Sequence, residues 1–83
     1  MSYTIIGAPH CAYCESAKML LRNNEYEFEY LDMQKMTPAD LDVYMSVADK
    51  PFRTVPQVFV KAESSLQYIG GFEDLREHVQ EQK

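Results

Sequence analysis

The chain has only two cysteines in 83 residues, and they stand three apart, at Cys11-Ala12-Tyr13-Cys14. That spacing decides how the fold can be held. A bridge between them joins no distant segments, so the small core of so short a chain must cohere by packing alone. Both thiols are then free for chemistry. The pair follows a short apolar run, Tyr3-Thr4-Ile5-Ile6-Gly7, and precedes Ala17, Met19, Leu20 and Leu21, which read as a helix. It therefore falls at a strand-to-helix junction. Residues three apart at a helix N-terminus are neighbours within disulfide reach. The first N–H groups of that helix lack intrahelical partners and favour a thiolate on the first sulfur. Reversible dithiol–disulfide chemistry is implied.

A Cys-x-x-Cys beside a βαβ pattern, with no other cysteine, reads as cytosolic redox and not as a secreted scaffold. The N-terminus has no charged n-region and no long apolar h-region, and no apolar run is long enough to span a bilayer. A cytoplasmic location without membrane contact is expected. The net charge of −5 is spread without a long acidic block. It argues against nucleic acid or an anionic membrane as partner, since both require a basic footprint. Without repeats, low-complexity segments or a Gly/Ser linker, one domain over residues 1–83 is expected, as a monomer.

The first strand covers residues 3–7 and the first helix about 11–22, with Asn23-Asn24 as a stop because Asn tolerates the left-handed conformation. Residues 27–32 alternate as a second strand, parallel to the first through a right-handed crossover. Thr37 is placed at an N-cap, with Pro38 at N1 and Asp40 in the first turn. Leu41, Tyr44, Met45 and Ala48 share one face of this second helix, Tyr44 and Met45 being read as core, and Pro51 ends it. Residues 55–60 are a β-branched strand with Pro56 near its start. Residues 61–65 form a polar turn into a hairpin strand over 66–69. Gly70-Gly71 breaks it, and a last helix runs over 72–80 with Glu73 and Asp74 in its first turn. The order β-α-β-α-β-β-α predicts an α/β fold, a four-stranded mixed sheet with helices on both faces.

Three motifs at these spacings, Cys11-Ala12-Tyr13-Cys14, Thr54-Val55-Pro56-Gln57-Val58-Phe59 and Ile69-Gly70-Gly71-Phe72-Glu73-Asp74-Leu75, resemble a dithiol glutaredoxin of the thioredoxin fold. The chain is most similar in length and acidity to the small members carried by phages. The resemblance implies a glutathione-dependent thiol–disulfide oxidoreductase acting on protein disulfides and glutathionylated proteins, with ribonucleotide reductase an implied electron acceptor. It makes Cys11 the nucleophile and Cys14 the resolving thiol. It implies a cis Pro56 that turns the Val55 backbone outward to pair with glutathione like an added strand. The γ-glutamyl carboxylate would meet the N–H groups of Glu73 and Asp74 at the start of the last helix, with Phe72 beside them. Asp74 would take the ammonium, and Gly70 and Gly71 would leave room for that approach. Tyr13 would shield the sulfurs and, with Thr54, border the glutathione site. Many members carry a cation three residues before the first cysteine; here Ala8 stands there, and Arg53 is the remaining cation for the glycine carboxylate.

Ala12 replaces a common proline and shifts the redox poise. Glu15, where the family is often basic, brings negative charge near the sulfurs and opposes thiolate formation. His10 either supports the thiolate or is a solvated loop side chain. A zinc site would need His10 and His78 from opposite ends of the chain, and no metal is expected. Two further readings stand beside the first: a redoxin reduced by thioredoxin reductase, and a glutathione-ligated iron–sulfur dimer, which Ala12 permits.

Overall fold

The computed structural model describes residues 2–81. Its central strand is β1 (Ser2–Gly7), in which Tyr3 to Gly7 are all buried. A strand so closed must have covered faces and paired edges. It pairs in parallel with β2 (Phe28–Asp32) and antiparallel with β3 (Gln57–Ala62), and β3 pairs antiparallel with β4 (Ser65–Gly70). The sheet order is β2-β1-β3-β4. The helices are α1 (Ala12–Asn23), α2 (Pro38–Ala48) and α3 (Phe72–Glu81). The element order and mixed sheet are those expected.

Alternation along the strands divides the core. Tyr3 and Ile5 of β1, with Val58 and Val60 of β3, meet Ala17 and Leu21 of α1 and Leu75 and Val79 of α3. On the other face Phe59 collects three rings: Tyr44 of α2 at 5.0 Å, Tyr68 of β4 at 5.2 Å and Phe52 at 6.0 Å between centroids. Helices thus cover both faces. Among the described residues no helix is long and apolar enough to cross a membrane.

Several local expectations are corrected. The left-handed residue after α1 is Glu25 (φ 61), not an asparagine. Asn24 instead folds its side-chain Nδ2 back to the Leu20 carbonyl at 2.8 Å. Helix α2 does start as expected, with Thr37 Oγ1 accepting the Asp40 N–H at 3.1 Å. It ends at Ala48 because Asp49 turns left-handed (φ 59), before Pro51 is reached. Leu41, Tyr44, Met45 and Ala48 do share its inner face, yet α2 has no fully buried residue, so Tyr44 and Met45 are half-buried flank and not core. Strand β3 begins at Gln57, since Pro56 has no N–H to give a ladder. The hairpin loop is only Glu63-Ser64, which lengthens β4 at both ends. A short 3-10 turn, Met33–Lys35, follows β2 where Asp32 Oδ1 accepts the Gln34 N–H at 2.9 Å.

Candidate active site

Strand β1 ends at Gly7, and the chain crosses a three-residue loop to Cys11, the N-cap of α1. An N-cap normally offers an oxygen to the helix N–H groups. Here it offers sulfur: the Cys14 N–H donates to Cys11 Sγ at 3.1 Å. The two cysteines are joined as a disulfide with their Cα atoms 5.2 Å apart. They differ in access, Cys14 being fully buried and Cys11 partly exposed. An incoming group therefore meets Cys11 first. Its sulfur also lies 3.8 Å from the Val55 carbonyl oxygen, across the sequence.

That carbonyl belongs to the loop before β3, in which the Val55–Pro56 peptide is cis. The loop forms one wall of an open groove of about 250 Å³, lined by Tyr13, Thr54, Val55, Pro56, Gly71, Phe72, Glu73 and Asp74. Tyr13 is 62% exposed, and its ring stands 5.9 Å from that of Phe72. The α3 start is closed by two bonds: Leu75 N–H to the Gly71 carbonyl at 3.0 Å, and Gly71 N–H to Asp74 Oδ2 at 3.2 Å. The remaining first-turn N–H groups of α3 have no helical acceptor.

Most of the sequence-derived site thus meets around one groove. Gly70 lies beneath it: its φ is +132 and a Cβ there would collide with the Asp74 carboxylate. Room at Gly70 therefore serves Asp74, while Gly71 is the glycine on the groove. Arg53 is exposed and does not line the groove. His10 is an exposed loop residue with left-handed backbone (φ 60). His78 packs edge-on against Tyr3, ring centroids 5.7 Å apart, at the opposite end of β1 from Cys11. The two histidines are not brought together.

The charge on Glu15 is answered. Lys18 Nζ bonds Glu15 Oε2 at 2.9 Å and sits 3.9 Å from the centre of the Tyr30 ring. Both residues border a second groove on the far side of Cys11, with Ala8 and His10. The Glu15 carboxylate therefore has a cation beside it, a pairing that the i,i+3 spacing signalled in the sequence. Gln57 was also missed. Its side chain is buried, donates to the Thr54 carbonyl at 2.8 Å and accepts from the Tyr68 hydroxyl, which pins the loop carrying Val55. An amide inside an otherwise apolar strand was its sequence signal.

A thioredoxin-like fold with a Cys-x-x-Cys capping α1 defines a thiol–disulfide oxidoreductase of the dithiol class. The chain belongs to the glutaredoxin family, whose sequence model, described as Glutaredoxin, matches residues 1–64. Glutaredoxin 1 of Escherichia coli is 34% identical over 88 aligned residues, covering 98% of this chain and 95% of that one. The solved structure of reduced E. coli glutaredoxin matches with a TM-score of 0.73 at 35% identity, over 98% of this chain and 95% of that one. A buckwheat glutaredoxin solved as a glutathione complex matches with a TM-score of 0.71 over 98% of this chain and 70% of that one. At 20% identity that likeness is one of fold alone.

Proposed function

We propose that the chain draws its electrons from glutathione and reduces both protein disulfides and glutathione mixed disulfides. The observation that carries this reading is the groove beside Cys11, walled by Val55 on one side and the start of α3 on the other. A peptide-like thiol needs there a backbone edge, an anion site and a cation site. The Val55 carbonyl supplies the first, the free N–H groups of Glu73 and Asp74 the second, and Asp74 Oδ1 the third. Tyr13 and Phe72 form the apolar side, Thr54 and Pro56 the floor, and Gly71 keeps the α3 end open. Arg53, exposed and next to Thr54 in the chain, is the cation offered to the glycine carboxylate.

Cys11 thiolate attacks the substrate disulfide; a Cys11–substrate bond forms, and the leaving sulfur takes the electron pair and a proton. Cys14 then attacks Cys11 Sγ, which closes the Cys11–Cys14 bond and releases the second thiol. Two glutathione molecules return the pair to the dithiol, leaving glutathione disulfide. With glutathionylated substrates, glutathione itself can resolve the Cys11 adduct. The test is reduction of the mixed disulfide of glutathione and β-mercaptoethanol, coupled through glutathione reductase to NADPH. Wild type and Cys14→Ser turn over, and Cys11→Ser does not. No turnover with glutathione, alongside reduction by thioredoxin reductase, would overturn glutathione as donor.

A further inference from the structure

Cys14 must lose a proton before it attacks, yet its side chain has no exposed surface. A thiol closed off from water holds its proton, because nothing solvates the thiolate. The N-terminus of α1 serves the other sulfur, since the Cys14 N–H is engaged by Cys11 Sγ. One polar side chain does stand beside Cys14. A Cβ built on Gly7 would lie 2.7 Å from Tyr30 Oη and 2.8 Å from Cys14 Sγ. Hydroxyl and sulfur therefore flank the same small gap, left open because residue 7 is glycine. In the closed disulfide the Tyr30 hydroxyl donates to the Ala8 carbonyl at 3.3 Å, a long bond for two oxygens.

We propose that the Tyr30 hydroxyl is the hydrogen-bond donor to Cys14 Sγ once the disulfide is open, and that it makes Cys14 competent to resolve the mixed disulfide. This rests on Cys11 as the attacking sulfur and Cys14 as the resolving one. The change of partner asks the phenolic hydrogen to turn away from the Ala8 carbonyl and the freed Cys14 side chain to rotate toward the hydroxyl across that gap. Lys18 Nζ lies 3.9 Å from the centre of the same ring and holds it in place. The other charged and titratable groups on the groove that Tyr30 and Lys18 share with Cys11 are Glu15, paired to Lys18, then Asp32 and His10. In the step itself, Cys14 Sγ bonds to Cys11 Sγ, the bond from Cys11 to the substrate sulfur breaks, and the departing thiolate takes the proton that Cys14 gave up. The Tyr30 proton stays on its oxygen throughout. Its part is to stabilise the thiolate between those two events.

Tyr30→Phe removes one oxygen and keeps the ring under Lys18. Two rates are compared on that variant: reduction of a protein disulfide, which requires Cys14, and reduction of a glutathione mixed disulfide, which Cys11 carries alone. The first is expected to fall about tenfold relative to the second, the scale of a lost hydrogen bond to a charged group. In a Cys11→Ser background, the thiolate absorbance of Cys14 is expected to titrate about one pH unit higher when residue 30 is Phe. A rate ratio equal to that of wild type, or an unmoved titration, overturns the proposal; equal loss of both rates would assign Tyr30 to holding the Ala8 loop instead. The titration uses no glutathione, so it decides the role of Tyr30 even if the glutathione reading fails.

Discussion

Gly70 and Gly71 are adjacent and answer to different constraints. Gly70 holds φ +132, and the Asp74 side chain fills the space where its Cβ would be. Gly70→Ala should therefore destabilise by about 2 kcal/mol, through backbone strain and a displaced Asp74 carboxylate, read as a lower denaturant midpoint. At Gly71 the nearest foreign atom to a built Cβ is the Pro56 carbonyl oxygen at 3.7 Å, an ordinary contact. Gly71→Ala should cost less, no more than about 1 kcal/mol, the loss expected when alanine takes an N-cap position that glycine fills better. Because residue 71 lines the groove, the same change should raise KM for glutathione mixed disulfides and leave kcat nearly alone. Equal stability losses at the two positions would contradict the assignment. The glycine pair was visible in the sequence. Which member packs under Asp74 was not, because that depends on where the first turn of α3 sets the Asp74 carboxylate.

At the scale of elements, the end of α1 carries a left-handed Glu25. Its N–H bonds the Arg22 carbonyl at 3.0 Å and the Tyr26 N–H bonds the Leu21 carbonyl at 2.9 Å, the paired bonds of a Schellman ending. Tyr26 packs against the core that contains Leu21, which completes the motif. A side chain in that conformation costs about 1 kcal/mol, so Glu25→Gly should stabilise by about that amount, measured by chemical denaturation. Helix starts were legible because a cap is a local event: Thr37 before Pro38 was read as one, and α1 began within a residue of the expected Cys11. Helix ends were less so. Glu25 and Asp49 are poor left-handed residues beside glycine or asparagine, and tertiary packing sets them there, Tyr26 reaching into the core in the first case. The same reason hid the pairing of Lys18 with Tyr30, whose partners lie on different elements. The groove itself was legible because three separate motifs converge on it once β1, β3 and α3 are packed together.

For the molecule as a whole, the disulfide encloses only the residues between Cys11 and Cys14, so the fold rests on its two packed sheet faces. Tyr3 sits at the centre of one of them. It has no exposed surface, and its hydroxyl has no hydrogen-bond partner among the described residues. Burial, and then the neighbouring Tyr26, push the Tyr3 phenol above its ordinary value of 10.0. On the opposite face Tyr44 is also raised, first by burial, then by Glu29 and Asp40, against a lowering contact from Thr4. Both phenols therefore keep their protons in the fold at a pH where the unfolded chain gives them up. Above about pH 10 the unfolded state binds fewer protons, and stability must fall as pH rises from there toward the raised folded values. Below about pH 10 this contribution is fully present. Unfolding measured between about pH 8 and 11 should show a loss that begins near 10 and is shallower in Tyr3→Phe. At neutral pH the same variant should match wild type or gain up to about 1 kcal/mol, since it removes a buried hydroxyl that has no partner. A clear loss at neutral pH would mean that the hydroxyl is hydrogen-bonded in solution, and His78 Nε2, itself buried against the Tyr3 ring and without a partner among the described residues, is the atom it would have found.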